Sequence, residues 1–169
     1  ESSMTEISSE VRFLHAVQIG LGAWQWGDRV IWGYGQTHTD KDIREAFDVS
    51  LNLGVRFVDT AEIYGSGTSE RLLGKFIKET DQPVLVATKF FPWPWRVTKG
   101  FLPRALKGSL ERLGLESVDL YQIHWPSYLM TPETMMEGMV ECIKQGLTRT
   151  VGVSNFGQKR MLRAYSTLA

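Results

Sequence analysis

Gly54-Val55-Arg56-Phe57-Val58-Asp59-Thr60-Ala61-Glu62-Ile63-Tyr64-Gly65 is the stretch that decides the fold. Val55, Phe57 and Val58 form a short apolar run of the kind that fills a buried strand of a parallel sheet. The run stops abruptly at Asp59, and Tyr64 follows five residues later beside a glycine. A carboxylate at a strand end with a phenol in the loop beyond it points to chemistry, since packing alone asks for neither.

Working outward, the same alternation repeats. Val17 to Gly22 reads as a strand, and an aromatic loop with Trp24, Trp26, Trp32 and Tyr34 follows it. Thr39 is placed to cap a helix that has Asp42 in its first turn, apolar residues at Ile43, Ala46, Phe47 and Leu51, and Gly54 as its stop. Beyond the opening stretch a second helix is predicted over 69–79, a strand over 84–89, and a helix lined by Leu102, Ala105, Leu106, Leu110 and Leu113 that stops at Gly114. A strand over 118–124 leads to Thr131-Pro132-Glu133, an N-cap with proline at the first helical position. That helix carries Met135, Met136, Met139 and Ile143, a stripe read as core, and closes at Gly146. A fifth strand over 150–155 and the start of a fifth helix end the chain. Five strand–helix repeats imply a parallel sheet with right-handed crossovers. The fold class expected is α/β, a TIM (β/α)8 barrel of which about the first five βα units are present. Residues 1–10, polar and serine-rich, are expected to be a flexible tail, and 11–169 one partial barrel domain. The absence of an initial Met, and an end inside a helical pattern, suggest a piece of something longer.

Each strand closes on a residue that a buried strand does not choose: Asp59, Lys89, His124 and the Ser154-Asn155 pair, spaced 30, 35 and 30 residues apart. In a parallel sheet these ends share one side, and in a (β/α)8 barrel that side carries the active site. Taken singly each has a plain alternative: Asp59 as a loop cap, Lys89 as a solvated strand end, His124 as a satisfied core histidine, Tyr64 as packing. Their coincidence on one rim favours a site. The chemistry expected is that Asp59 holds Lys89 charged, Lys89 lowers the proton affinity of Tyr64, Tyr64 gives a proton to a carbonyl oxygen and His124 orients that oxygen.

The bulk composition narrows the classes. Nineteen Lys and Arg balance 19 Asp and Glu, which gives no footprint for nucleic acid or a membrane surface. No apolar run reaches the roughly 18 residues of a membrane span. The single cysteine, Cys142, falls on a helical face and reads as a core thiol. Three separated histidines and one cysteine lack metal-ligand spacing, so no metal is expected. Gly65-Ser66-Gly67 lacks the spacing of a dinucleotide loop and reads as a tight turn. The loop from Phe91 to Arg96 reads as a pocket wall or a cover over the barrel face.

Together, Gly20-Leu21-Gly22-Ala23-Trp24, Val58-Asp59-Thr60-Ala61 with Tyr64-Gly65, Ser69-Glu70 with Leu73-Gly74, Thr88-Lys89, Asp119-Leu120-Tyr121 with His124-Trp125-Pro126, and Gly152-Val153-Ser154-Asn155-Phe156 resemble the aldo-keto reductase family, in the family's order and over nearly the whole chain. The resemblance implies a barrel that reduces carbonyls with NADPH, with Asp59, Tyr64, Lys89 and His124 as the catalytic residues. It implies that Ser154 and Asn155 hold the nicotinamide carboxamide, and that Trp24 and Trp125 are substrate-pocket aromatics. The later strands of the family, which stack the nicotinamide and bind the 2′-phosphate, are absent here. The aromatic loop and the stretch from Ser69 to Glu79 resemble plant and cyanobacterial members, some of which reduce pyridoxal. The partner expected is a small-molecule carbonyl substrate, with no nucleic acid and no membrane. The location expected is soluble: cytoplasm, or plastid stroma for a plant or algal source. Two other readings stay open: a Schiff-base lyase that uses Lys89, and an inactive fragment or redox-sensing interaction subunit.

Overall fold

A computed structural model describes residues 17–168. The expected tail over 1–10 lies outside the described residues. In chain order the elements are β1 (Gly20–Gly22), α1 (Asp40–Asn52), β2 (Phe57–Asp59), a 3-10 turn (Tyr64–Gly67), α2 (Thr68–Lys78), β3 (Leu85–Phe90), α3 (Phe101–Leu113), β4 (Val118–Ile123), α4 (Pro132–Lys144), β5 (Thr148–Val153) and α5 (Gln158–Ser166). The local reasons are those visible in the sequence. The Thr39 amide and hydroxyl both donate to the Asp42 carboxylate at the start of α1, at 2.8 and 2.7 Å. Thr131 Oγ1 accepts from the Thr134 amide ahead of α4 (3.2 Å). Gly114 ends α3 in the left-handed region, with φ 66°.

All strand pairs are parallel, and the order in space is the order in the chain, β1-β2-β3-β4-β5. A doubly wound sheet reverses direction and covers both faces. A sheet wound in one direction with right-handed crossovers sends every helix to one face, which is how a (β/α)8 barrel begins. Five such units are present, and consecutive helices pack on one another along that face.

The register sorts the side chains. Asp59 lies opposite Ala87, and Lys89 opposite Gln122. Residues opposite one another in a parallel ladder share a face. Val58, Val86, Thr88, Phe90, Tyr121 and Ile123 therefore share the helix-covered face, and all are buried. They meet Phe47, Leu51, Leu73, Phe76, Leu102, Leu106, Leu113 and the Met135, Met136 and Met139 stripe in one core. Cys142 is buried in that core, and burial pushes its thiol up to about 12, an unreactive state. Ile143, expected in the same stripe, is exposed, because it lies one step round α4 from Cys142. Asp59, Ala87, Lys89, Leu120 and Gln122 occupy the opposite, barrel-interior face.

Several boundaries differ from the sequence reading. β1 is confined to 20–22, because the ladder with β2 begins only at Gly20 opposite Phe57 and leaves Ile19 exposed. β5 begins at Thr148, drawn into pairing with Val118, and stops at Val153. Ser154 and Asn155 thus lie just past the strand, and Asn155 is left-handed with φ 60°.

A polar network ties this framework together behind the rim. Glu70 is completely buried. Its Oε1 accepts from Thr88 Oγ1 and its Oε2 from Arg112 Nε, both at 2.6 Å. Ser69 Oγ shares a hydrogen bond with Thr60 Oγ1 (2.8 Å) and donates to the Ala23 carbonyl (2.9 Å). The start of α2 is thereby joined to β3, α3 and the ends of β1 and β2. Within this network Glu70, Thr88, Ser69 and Thr60 each find the partner that burial demands.

Gly74 faces the carbonyl of Leu113, where a Cβ atom would stand only 2.3 Å from the oxygen. Helix propensity favours alanine over glycine by about 1 kcal/mol. A clash with a backbone atom at the α2–α3 crossing outweighs that gain. Gly74→Ala is expected to lower the thermal unfolding midpoint in circular dichroism. A rise would show that the two helices do not meet this closely.

Candidate active site

The structure brings Asp59, Tyr64, Lys89 and His124 together at the carboxyl ends of the strands. Lys89 Nζ donates to Asp59 Oδ2 at 2.6 Å and to the Thr60 carbonyl at 2.9 Å, and it stands 3.4 Å from Tyr64 Oη. The ammonium also lies 5.1 Å from the centre of the Tyr64 ring. The His124 ring meets Tyr64 edge-on, with centroids 5.4 Å apart and an interplanar angle of 84°. His124 sits one residue past β4, where its amide donates to the Phe90 carbonyl (2.9 Å). The Lys89 side chain is 7% exposed and that of Asp59 35%, so the ion pair points from the barrel interior toward the rim.

Tyr64 is fixed by the turn that carries it. The residues read as a tight turn, Gly65, Ser66 and Gly67, all have positive φ. A Cβ on Gly65 would stand 2.7 Å from the backbone carbonyl of Gly27. Only glycine lets the aromatic loop close this tightly over the phenol. Trp24 then stacks on Tyr64 (6.3 Å, 28°) and meets Trp32 edge-on (5.4 Å, 80°). Trp125 lies alongside His124 (6.4 Å, 28°).

These groups open onto a pocket of about 440 Å³ walled by Trp24, Tyr64, Phe91, His124, Trp125 and Asn155. Ser154 stands beside it. Asn155 Nδ2 donates to the His124 carbonyl (2.8 Å) and to Ser154 Oγ (3.1 Å). The loop from Phe91 to Arg96 supplies a wall, as expected: Phe91 lines the pocket, Trp93 packs on Phe91, and exposed Trp95 stacks on Trp93. Asp28, Ile31 and Ile63 also line the pocket and were not foreseen. Ile63 had a signal in its place beside Tyr64. Asp28 had none, because it is brought in by its own turn, in which Oδ1 accepts from the amides of Val30 and Ile31 at 3.0 and 2.8 Å.

Electrostatics correct one expectation. Lys89 was expected to lower the proton affinity of Tyr64, yet the phenol is pushed up to about 12, first by burial and then by the Asp59 charge. The ammonium spends its short hydrogen bonds on Asp59 and Thr60, so burial outweighs it at the phenol. Lys89 is itself shifted down by burial, with Asp59 opposing the shift. Burial, with help from the Lys89 charge, moves His124 down to about 4. At neutral pH the cluster is therefore a protonated phenol, a neutral imidazole and an ion pair. Nδ1 of the imidazole is buried without a hydrogen-bond partner among the described residues.

Among the described residues no three His, Cys, Asp or Glu side chains gather to hold a metal ion. A parallel sheet wound in one direction, with its helices on one face, defines the chain as part of a (β/α)8 barrel. Residues 18–168 match the model of the Aldo/keto reductase family. The chain belongs to that family. It is 40% identical over 163 residues to the chloroplastic pyridoxal reductase of Arabidopsis thaliana, covering 89% of this chain and 44% of that protein. It superposes on a thermostable aldo-keto reductase in complex with the inhibitor epalrestat at a TM-score of 0.74 and 34% identity, covering 88% of this chain and 53% of that one. An aldo-keto reductase from Klebsiella pneumoniae in complex with NADPH gives the same TM-score at 28% identity, covering 88% and 49%. The chain thus spans about half the length of these relatives.

A histidine held below its ordinary value binds fewer protons folded than unfolded. Its contribution to stability is present above pH 6.5 and is lost as pH falls from there toward 4. An NMR titration of the His124 imidazole is expected to show a midpoint near 4. A midpoint at 6.5 or above would mean that the ring is solvated and the cluster open.

Proposed function

We propose that the protein is an NADPH-dependent reductase of a small aldehyde or ketone, with Tyr64 as the proton donor. One observation carries the reading: a protonated phenol stands within 3.4 Å of an ammonium that a carboxylate holds, and a neutral imidazole meets it edge-on at the mouth of an aromatic pocket. When bound, NADPH supplies a hydride to the carbonyl carbon. The residues handle the other half of the reaction. As negative charge grows on the carbonyl oxygen, Tyr64 Oη transfers its proton there. The Lys89 charge stabilises the phenolate left behind, and Asp59 keeps that charge on Lys89. Tyr64 is a weak acid at rest, so transfer is favoured only once the oxygen has become strongly basic. His124, neutral, donates one hydrogen bond to orient the same oxygen.

Asn155 and Ser154 suit the carboxamide of a nicotinamide. The Asn155 NH₂ is committed to the His124 carbonyl and Ser154 Oγ, which leaves Oδ1 as an acceptor for an amide N–H. Trp24 and Trp125 suit a flat carbonyl compound between them, in keeping with a plant relative named for pyridoxal reduction. No described helix is long and apolar enough to cross a membrane. With a chloroplastic relative, the reading assigns the protein to the plastid stroma if its source is a plant or alga, and to the cytoplasm otherwise.

NADPH oxidation followed at 340 nm with a panel of small aldehydes, pyridoxal included, tests the reading. Tyr64→Phe is expected to lower kcat/KM by about 100-fold or more. Its thermal midpoint should hardly move, because the hydroxyl makes only the long contact to Lys89. Unchanged turnover in that variant would defeat the assignment.

A further inference from the structure

Beyond the end of β2 the chain stays zipped to β3 without being a strand. The Thr60 amide donates to the Ala87 carbonyl (2.9 Å) and the Glu62 amide to the Lys89 carbonyl (3.4 Å). The next rung has no backbone acceptor, and the Glu62 side chain supplies one: Oε1 accepts from the Phe91 amide at 2.6 Å. Arg96 closes over the same carboxylate with a fork, Nη1 to Oε1 and Nη2 to Oε2 at 2.5 and 3.1 Å. Nη1 also donates to the Phe91 carbonyl (2.9 Å), and the guanidinium lies 4.9 Å from the centre of the Phe90 ring. Both backbone groups of Phe91 are thus held by one ion pair, whose side chains are only 10% and 16% exposed.

What the pair holds is the wall of the site. The Phe91 ring meets His124 edge-on at 6.0 Å and 88°, and lines the pocket. Phe90 and Phe91 follow Lys89 directly, and Glu62 precedes Tyr64 by two residues. A largely desolvated ion pair adds little net stability, since apolar replacements of such pairs are often neutral or better. Its bidentate fork supplies geometry instead.

We propose that Glu62 and Arg96 are positioning residues: together they seat the Phe91 wall against His124 and hold the Tyr64 loop at its working distance from Lys89. Neither lines the pocket. The charged and titratable groups around His124 are Lys89, Tyr64, Asp28 on the pocket wall and, behind them, Asp59. None of these is altered by changing the pair, so a change at His124 reports the wall. The proposal rests on the carbonyl-reductase reading only for its turnover measurement.

The test uses the 169-residue chain with Glu62→Gln, Arg96→Gln and Arg96→Lys. Each is read by the His124 NMR titration, the thermal midpoint, and turnover of NADPH with the small aldehydes. Glu133→Gln is the control, removing a remote bidentate pair with Arg163 (both contacts 2.7 Å). In the two neutral variants water reaches the imidazole, and its midpoint is expected to rise by about one pH unit or more. Where turnover is measurable, kcat is expected to fall about tenfold with KM within about threefold, the mark of lost positioning. Arg96→Lys keeps the charge and loses the fork, and should move both in the same direction by less. The control should lower only the thermal midpoint. A His124 midpoint equal to that of the unaltered protein in the folded variants overturns the proposal. If the neutral variants do not fold, Arg96→Lys decides: an unmoved His124 rejects it and a raised one supports it. A chain that shows the shift but oxidises no NADPH keeps the clamp and loses the reductase reading.

Discussion

The contact between Lys89 and Asp59 is the constraint around which the rest is arranged. The Lys89 ammonium is almost out of water, and burial shifts its proton affinity down. Asp59 at 2.6 Å and the Thr60 carbonyl at 2.9 Å return what the solvent no longer gives. Removing one partner of a fully buried pair costs about 3–5 kcal/mol. Asp59 is one-third exposed, so water offsets part of that here. The two residues act on each other: burial shifts the amine down, and the acid opposes that shift.

The winding of the sheet is what lets two residues thirty positions apart meet. Because β2 and β3 are neighbours in space and in sequence, the end of one strand lies beside the end of the next. Lys89 stands two residues beyond the position paired with Asp59, and its long side chain reaches back across that offset. β4 then delivers His124 one residue past its own end, hydrogen-bonded to the carbonyl of Phe90. β2, β3 and β4 contribute one group each, and the loop after β2 folds Tyr64 over them. Burial then separates their proton states: the phenol keeps its proton and the imidazole stays without a second one.

Much of this was legible in the chain. Apolar runs broken by Asp59, Lys89 and His124 marked the strand ends, and their spacing marked one rim. Thr39, Thr131, Gly54 and Gly114 marked the helix ends. What the sequence hid falls into three kinds. Strand edges depend on pairing, so Ile19 drops out of β1 and Thr148 joins β5 for reasons that lie in the neighbouring strand. Proton affinities depend on desolvation, and Tyr64 moved opposite to the expectation because the strength of a neighbouring charge can be guessed from sequence while the depth of burial cannot. Ion pairs between distant loops carry no periodic mark. Glu62 and Arg96 are 34 residues apart, and each reads alone as a solvated charge.

Thr88, the residue beside Lys89, points the other way, into the helix layer, where fully buried Glu70 accepts its hydroxyl and Arg112 holds Glu70. β3 is therefore gripped from both faces, by an ion pair in front and a carboxylate behind, and both contacts oppose its rolling about its own axis. The entropy lost in arranging these groups belongs to folding, and an incoming molecule meets a cleft whose shape is already set.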